Sequence, residues 1–354
     1  MDSLARALAC SPELFPHSLD LRSDTVGFVR LGNTDYRDAS FLDDRILGPR
    51  TIRRSMSCDE VAHAVAEAAL PESCHFIFHI GHVGSTLLSR LVGAQAGTLS
   101  LREPAILRTL AQLCGEPLLA SPSWGQDGFE RRLGTFLKLW SRTFHPGDRA
   151  VLKATSFVSE LAAKLLSRPS SPKTLLMFVR PESYLATILG GANAPQEAMA
   201  LAPSRRKRLR SRAGDEIYDL TKLGIGEIVA MSWACEMTAL GEAAGQVRER
   251  AMAIDFDAFL VEPYSALTQV FHHLEIPASG RDIETILRGP EMRRYSKAPQ
   301  YEYDAKLRRE VLDQARTTSG EEIRRGLAWL DRISREHKSV RQAMSAAAGG
   351  KWSG

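Results

Sequence analysis

The sequence feature that most restricts the fold is the stretch 76–92, where an apolar β-type run enters a short glycine-bracketed loop and then an amphipathic helix. The loop, from Gly81 to Thr86, reads Gly-His-Val-Gly-Ser-Thr. Glycines let the backbone approach an anion, and the amides of the loop and of the helix N-terminus point their N–H groups at it. Ser85 and Thr86 add hydroxyl donors. The stretch therefore predicts a cradle for a phosphate-bearing ligand.

The loop differs from the loops that bind nucleoside triphosphates. In those loops a lysine follows the last glycine and reaches the outer phosphates. Here Ser85 follows Gly84, so that lysine is missing. Two interpretations of the loop alone stay open: a cradle for another phosphate ligand, or a tight strand-to-helix turn that binds nothing.

Composition limits the protein classes. With 354 residues and 44% hydrophobic residues, the chain is long enough for one large α/β domain with additions, or at most two domains. A net charge of +4 is too small to predict a nucleic-acid partner, although it suits a pocket for a polyanionic nucleotide. Five scattered cysteines without a Cys-x-x-Cys pair predict neither a disulfide framework nor a zinc site. Without an apolar run of roughly 20 residues or a signal peptide, no membrane association is expected and the predicted location is cytoplasmic.

Alternating strands and helices predict a doubly wound, mainly parallel sheet. Charged residues stand at the carboxyl ends of three strands, namely Glu103, Lys153 and Arg180. Ligands of open α/β sheets bind at that edge. The predicted strands of the sheet are 76–80, 98–101, 150–156, 174–179 and 251–256.

With these elements in order, residues 74–312 resemble the sulfotransferases that use 3′-phosphoadenosine 5′-phosphosulfate (PAPS), in particular bacterial-type members. The resemblance implies a P-loop-type three-layer α/β/α fold with a central, mainly parallel sheet. It also implies that the cradle holds the 5′-phosphosulfate of PAPS, the co-substrate. The cradle residues concerned are Gly81, His82, Val83, Gly84, Ser85, Thr86 and Leu87.

Three further segments are similar to this family. In the family an arginine at the end of a buried strand, with a hydroxyl about eight residues later, holds the 3′-phosphate; Arg180 and Thr187 fit if one residue is deleted between them. Residues 256–263 are similar to a structural marker, Glu-Asp-Leu-x-x-x-Pro. Residues 293–297, Arg-Arg-Tyr-Ser-Lys, resemble the loop that closes over the nucleotide, which implies that Arg294, Ser296 and Lys297 bind it.

The cradle departs from the family pattern at His82, because most members have lysine or arginine there. A protonated imidazole can replace that cation, and two nearby phosphates would raise its pKa. We therefore expect activity to fall on the alkaline side as His82 deprotonates. The alternative is a histidine that is only hydrogen-bonded at the strand end.

The residue that takes the acceptor proton, the general base, also differs from the family pattern. Cytosolic members carry Lys-Thr-His after the third strand, whereas residues 153–155 here are Lys-Ala-Thr. Other branches use a glutamate after the second strand, and Glu103 occupies that place. Sulfuryl transfer needs a base for the acceptor proton and cations around the leaving phosphate. The resemblance thus implies Glu103 as base, with Lys153 and His82 stabilising the leaving group; a salt bridge from Glu103 to an arginine is the alternative.

No metal site is predicted. His75 and His79 lie four residues apart on a strand, roughly 13 Å at about 3.3 Å per residue, too far to share one ion. Two other functions stay open: a kinase-like P-loop phosphotransferase that uses ATP, with Asp255 as its magnesium ligand, and a non-catalytic nucleotide-binding relative. No Gly-x-x-x-x-Gly-Lys pattern supports the former.

We predict three parts of the chain: an N-terminal extension packed on the core (1–72), a sulfotransferase-like P-loop domain (73–340) and a flexible tail (341–354). The acceptor, a small molecule or a glycan, is expected to contact the loops 115–128 and 181–212. Within the latter, the basic run 204–212 is interpreted as a solvated helical face or as a surface for an anionic ligand.

Overall fold

The computed structural model describes residues 3–49, 51–114, 124–214 and 220–349. The N-terminal part contains a three-stranded antiparallel sheet of order β1-β2-β3. Phe15, Val29 and Leu42 of this part belong to the same hydrophobic cluster as the rest of the protein. Its elements are α1 (Ser3–Cys10), β1 (Leu14–Asp20), β2 (Thr25–Arg30), α2 (Asn33–Asp38), β3 (Arg53–Ser57) and α3 (Cys58–Glu67).

A five-stranded sheet forms the centre of the molecule, in the order β5-β6-β4-β7-β8 with every neighbouring pair parallel. The predicted α/β fold with a mainly parallel sheet is confirmed. Because β4 is central and the chain leaves it first to one side and later to the other, a crevice opens at its carboxyl end, where such sheets bind ligands. The strands are β4 (His75–His79), β5 (Thr98–Arg102), β6 (Arg149–Lys153), β7 (Thr174–Phe178) and β8 (Ala251–Asp255).

Helices flank the sheet. The longest, α10, is buried along most of its length, and the indole of Trp233 donates a hydrogen bond to the Val179 carbonyl, 3.0 Å away. The helices are α4 (Ser85–Ala94), α5 (Ala105–Cys114), α6 (Gln126–Trp140), α7 (Ser159–Leu166), α8 (Pro181–Leu189), α9 (Ala194–Ala213), α10 (Ile225–Val247), α11 (Phe256–Val261), α12 (Pro263–His273), α13 (Gly280–Arg288), α14 (Ala305–Thr318), α15 (Gly320–Glu336) and α16 (Lys338–Ala347).

The prediction of a flexible tail from residue 341 is wrong for residues 341–347, which complete α16. Val340, Ala343 and Ala347 are buried, and α16 contacts both α10 and α15. The alanines that suggested low complexity instead form an apolar face that packs into the core.

The basic run 204–212 lies within α9, and half of it is an internal ion-pair network. Arg208 Nη2 lies 2.9 Å from Glu236 Oε2, and Arg212 Nη1 lies 2.8 Å from Glu160 Oε1. Arg205 is also buried against Glu236. For these three arginines, both sequence interpretations, a solvated face and a ligand surface, are wrong, because periodicity alone did not show that α7 and α10 present carboxylates to them.

We predict that Glu236→Gln lowers the free energy of unfolding by about 3–5 kcal/mol, because it leaves the buried Arg205 without its carboxylate and Arg208 with Glu160 alone. Glu284 offers a matched control, since it pairs with Arg288 on an exposed helix face, where Glu284→Gln should cost about 0.5 kcal/mol or less. Urea unfolding of both variants measures the difference. Equal, small losses would show that the network does not stabilise the fold.

Candidate functional site

The loop between β4 and α4 adopts the shape of an anion cradle. Gly81, His82 and Gly84 have φ of 89°, 55° and 66°, in the left-handed region. A Cβ on Gly84 would lie 2.1 Å from the ring of Phe256. Gly84 is thus required twice, for its backbone angle and for its contact with α11. His82 tolerates the left-handed conformation better than most non-glycine residues.

The donors of the cradle are not all free. The Gly81 N–H donates to Nδ1 of the buried His79, at 3.0 Å, so that this amide fixes the loop. Thr86 Oγ1, in the first turn of α4, is buried and has no hydrogen-bond partner among the described residues. A buried hydroxyl without a partner costs free energy. A ligand oxygen at the cradle would satisfy it.

A cavity of about 450 Å³ opens above the cradle, within the range of small-molecule sites, about 300–1,000 Å³. It brings together residues from widely separated parts of the sequence. The predicted donor-binding residues on its wall are His82, Val83, Gly84, Ser85, Thr86, Leu87, Thr187, Arg294, Ser296 and Lys297.

The cavity wall combines helix N-termini and cations, which favour an anion, with the carboxylates of Glu197 and Asp304. Helices α4, α9 and α14 begin at its wall, at Ser85, Ala194 and Ala305, and helix N-termini carry partial positive charge. Arg294 and Lys297 are exposed on the wall, and no carboxylate of the described residues forms an ion pair with either. Their charges are available to a ligand.

One part of the wall is apolar and aromatic. Phe256, the first residue of α11, lies there with Tyr295 and Tyr303, whose rings meet edge to face with centroids 5.5 Å apart. Arg308 also lines the cavity, with its guanidinium 5.0 Å from the Phe256 ring and 2.8 Å from Asp257. Sequence reasoning missed Tyr303 and Arg308, because no local motif marks them, and interpreted the segment of Phe256 as a structural marker only.

Arg180 and Thr187 do not form the predicted pair. The Arg180 side chain is 67% exposed, lies off the cavity wall and has its Nε 3.5 Å from Asp255 Oδ2. Asp255, at the end of the neighbouring strand, draws the guanidinium toward itself. Thr187 is on the wall, but its hydroxyl donates to the Ser183 carbonyl within α8, at 2.7 Å.

Glu103 and Lys153 form a buried ion pair beside the cavity instead of lining it. Lys153 Nζ contacts Glu103 Oε1, and His79 Nε2 lies 4.0 Å from the same oxygen. Burial lowers the pKa of Lys153 to about 8, against the opposing effect of the Glu103 carboxylate. The partner of Glu103 is thus a lysine and not the arginine of the alternative interpretation. Glu103 has φ of 53°, a strained backbone of the kind often found at functional sites.

The surroundings of His82 favour its neutral imidazole. Burial, followed by the positive charges of Lys297 and Arg205, lowers its pKa to about 4. Glu197 opposes this effect only from a distance, with its Oε2 4.0 Å from His82 Nε2. The expectation that this imidazole carries positive charge beside two phosphates stays a prediction, and Lys297 and Arg294 are the exposed cations of the wall.

The residues considered for metal binding have other partners. Within the four described ranges, no three His, Cys, Asp or Glu side chains are placed to hold a metal ion. His75 Nδ1 accepts from the Lys173 amide at 3.3 Å, and Asp255 Oδ1 accepts from the Asp257 amide at the start of α11.

Of the expected acceptor loop, residues 115–123 lie outside the described part of the chain. No described helix combines the length and apolarity needed to cross a membrane.

Comparisons with known proteins give distant likenesses. No family model matches the chain, and no curated protein is significantly similar. Among solved structures, the sulfotransferase domain from the curacin biosynthetic pathway is 15% identical with a TM-score of 0.40, over 73% of this chain and 97% of that one. Sulfotransferase STF9 from Mycobacterium avium is 11% identical with a TM-score of 0.40, over 90% of this chain and 96% of that one. These values are too low to transfer a function.

We predict that Gly84→Ala destabilises the protein more than Gly147→Ala. Both glycines have positive φ, at a cost of about 1–2 kcal/mol for a side chain. At Gly147 an added Cβ meets nothing within 4 Å, whereas at Gly84 it meets Phe256. The forced repacking should add about 1–3 kcal/mol. Urea unfolding gives the free energy of unfolding of both variants. Equal losses would mean that the Phe256 ring moves aside without destabilising the protein.

Proposed function

We propose that the protein is a sulfotransferase that binds PAPS in this cavity and transfers its sulfuryl group to a hydroxyl or amine acceptor. The observation that carries the proposal is the meeting of the cradle, Thr187 and the loop of Arg294 and Lys297 around one cavity. Each of these segments resembles a different nucleotide-binding segment of the family, and they are far apart in the chain.

The chemistry of the wall matches that of PAPS. Its 5′-phosphosulfate would accept hydrogen bonds from the cradle amides and from Ser85 and Thr86 at the start of α4. Its 3′-phosphate would meet Arg294 and Lys297, which have no carboxylate partner among the described residues. The adenine would contact the aromatic part of the wall, beside Phe256. The missing loop lysine argues against a triphosphate.

In the proposed reaction, a lone pair of the acceptor oxygen or nitrogen forms a bond to the sulfur of PAPS. The bond from that sulfur to the 5′-phosphate oxygen breaks, and its electron pair leaves with adenosine 3′,5′-bisphosphate. The acceptor proton passes to Glu103. Because Lys153 occupies Oε1, Oε2 is the oxygen that would take the proton. The cradle amides and the hydroxyls of Ser85 and Thr86 would stabilise the charge on the leaving 5′-phosphate.

Calorimetric titration with adenosine 3′,5′-bisphosphate, beside Mg-ATP, tests the binding half of the proposal. We expect the wild-type protein to bind the bisphosphate with a micromolar Kd. In Lys297→Ala and in Arg294→Ala the affinity for the bisphosphate should fall roughly tenfold or more, as expected when a charge-assisted hydrogen bond is lost. Arg180→Ala should change affinity less, because Arg180 lies off the wall.

Preferential binding of Mg-ATP would favour the phosphotransferase alternative. Loss of bisphosphate binding in Arg180→Ala, with normal binding in Lys297→Ala, would reverse our assignment of the phosphate ligands.

The catalytic half is tested with Glu103→Gln in an acceptor screen that uses radiolabelled PAPS. A missing general base should lower kcat by about 10²–10⁴-fold while bisphosphate affinity stays unchanged. Glu284→Gln, on an exposed helix face, serves as the matched control. Full turnover in Glu103→Gln would exclude Glu103 as base, and wild-type protein that binds the bisphosphate but modifies no acceptor would favour a non-catalytic relative.

A further inference from the structure

Residues 293–303 form a hairpin-like loop that carries five of the cavity residues. Its two ends are bonded to each other, with the Tyr295 amide 2.8 Å from the Tyr301 carbonyl and the Tyr303 amide 3.0 Å from the Arg293 carbonyl. Such internal bonds give the loop a shape but do not fix its position over the cavity. The position must come from contacts with other elements.

Those contacts converge on one backbone atom. The Ser296 carbonyl accepts from Arg90 Nε at 3.0 Å and from Ser40 Oγ at 3.2 Å. Among the described residues, these are the hydrogen bonds that join residues 294–303 to elements distant in the chain. Arg90 Nε also lies 3.7 Å from Glu291 Oε2, just before the loop.

Arg90 belongs to α4, the helix that begins in the cradle, and its side chain is only 6% exposed. Its other nitrogens reach the N-terminal part of the protein: Nη1 donates to the Arg37 carbonyl at 3.3 Å, and Nη2 to the Asp38 carbonyl at 3.1 Å and to Ser40 Oγ at 2.9 Å. One rigid, planar guanidinium thus joins the cradle helix, the end of α2 and the cavity loop.

We infer that Arg90 is a positioning residue for nucleotide binding. It holds the loop of Arg294 and Lys297 at a fixed distance from the cradle, and it makes the segment 37–40 part of the site. Because Arg90 projects from the cradle helix itself, the cradle and the loop are held relative to each other by one side chain. This inference rests on the proposed function only for the identity of the ligand.

Arg102 provides a matched control. It is buried at the end of β5 and donates to the carbonyls of Ala39 at 2.6 Å, of Arg37 at 3.0 Å, and of Tyr36. It therefore docks the same end of α2 but has no described contact with the loop. If Arg90 served only to dock α2, the two arginines would have equivalent roles.

The experiment compares Arg90→Lys, Arg102→Lys and Ser40→Ala, with thermal melting to establish that each is folded. One measurement is the Kd of adenosine 3′,5′-bisphosphate. The other is the rate of the first tryptic cut after Arg293, Arg294 or Lys297, identified by mass spectrometry, which reports the freedom of the loop without any ligand.

We expect Arg90→Lys to raise the Kd of the bisphosphate roughly tenfold, as expected when one charged hydrogen bond is lost. Tryptic cleavage in the loop should become faster by a similar factor. Ser40→Ala should act in the same direction more weakly, and it decides the question if Arg90→Lys does not fold. Arg102→Lys should leave cleavage in the loop unchanged.

Equal effects of Arg90→Lys and Arg102→Lys, or unchanged cleavage in both Arg90→Lys and Ser40→Ala, would overturn the inference. A wild-type protein that does not bind the bisphosphate would refute the proposed ligand alone, because the cleavage rates would still show whether Arg90 holds the loop.

Discussion

The contact of Gly84 with the ring of Phe256 is the constraint on which the rest of the site depends. It brings the left-handed end of the cradle against the first residue of α11, directly after β8. Any side chain at Gly84 would have to displace that ring. The two segments that meet there come from the centre and the edge of the sheet, so this single close approach sets where α4 begins and where the aromatic part of the wall stands.

Around that contact, the protein separates the charges that hold its fold from the charges that face its cavity. Arg205, Arg208 and Arg212 are paired internally with Glu160 and Glu236. Arg294 and Lys297 have no carboxylate partner among the described residues. Unpaired cations beside three helix N-termini favour an anion in the cavity, and this is the physical basis of the proposed ligand.

Burial changes the chemistry of the groups beside the cavity. It lowers the pKa of His82 to about 4 and that of Lys153 to about 8. The low pKa of His82 favours its neutral imidazole. Lys153 is held by Glu103 Oε1, and in the proposed reaction Oε2 of Glu103 would take the acceptor proton. The cradle and Glu103 are linked through His79, which accepts the Gly81 N–H on Nδ1 and has Nε2 4.0 Å from Glu103 Oε1.

The sequence by itself determined the parallel sheet, the cradle and the part of the cavity wall formed by the cradle and residues 294–297, because strand runs, left-handed glycines and short loop motifs act through neighbours in the chain. It did not determine that Arg180 turns to Asp255, that Lys153 pairs with Glu103, that the basic run is internal or that residues 341–347 are helical. Each of these depends on a partner from a distant segment. Only the tertiary structure decided them, and only it placed Tyr303, Arg308 and Arg90 at the site, since no local pattern reports which elements meet in space.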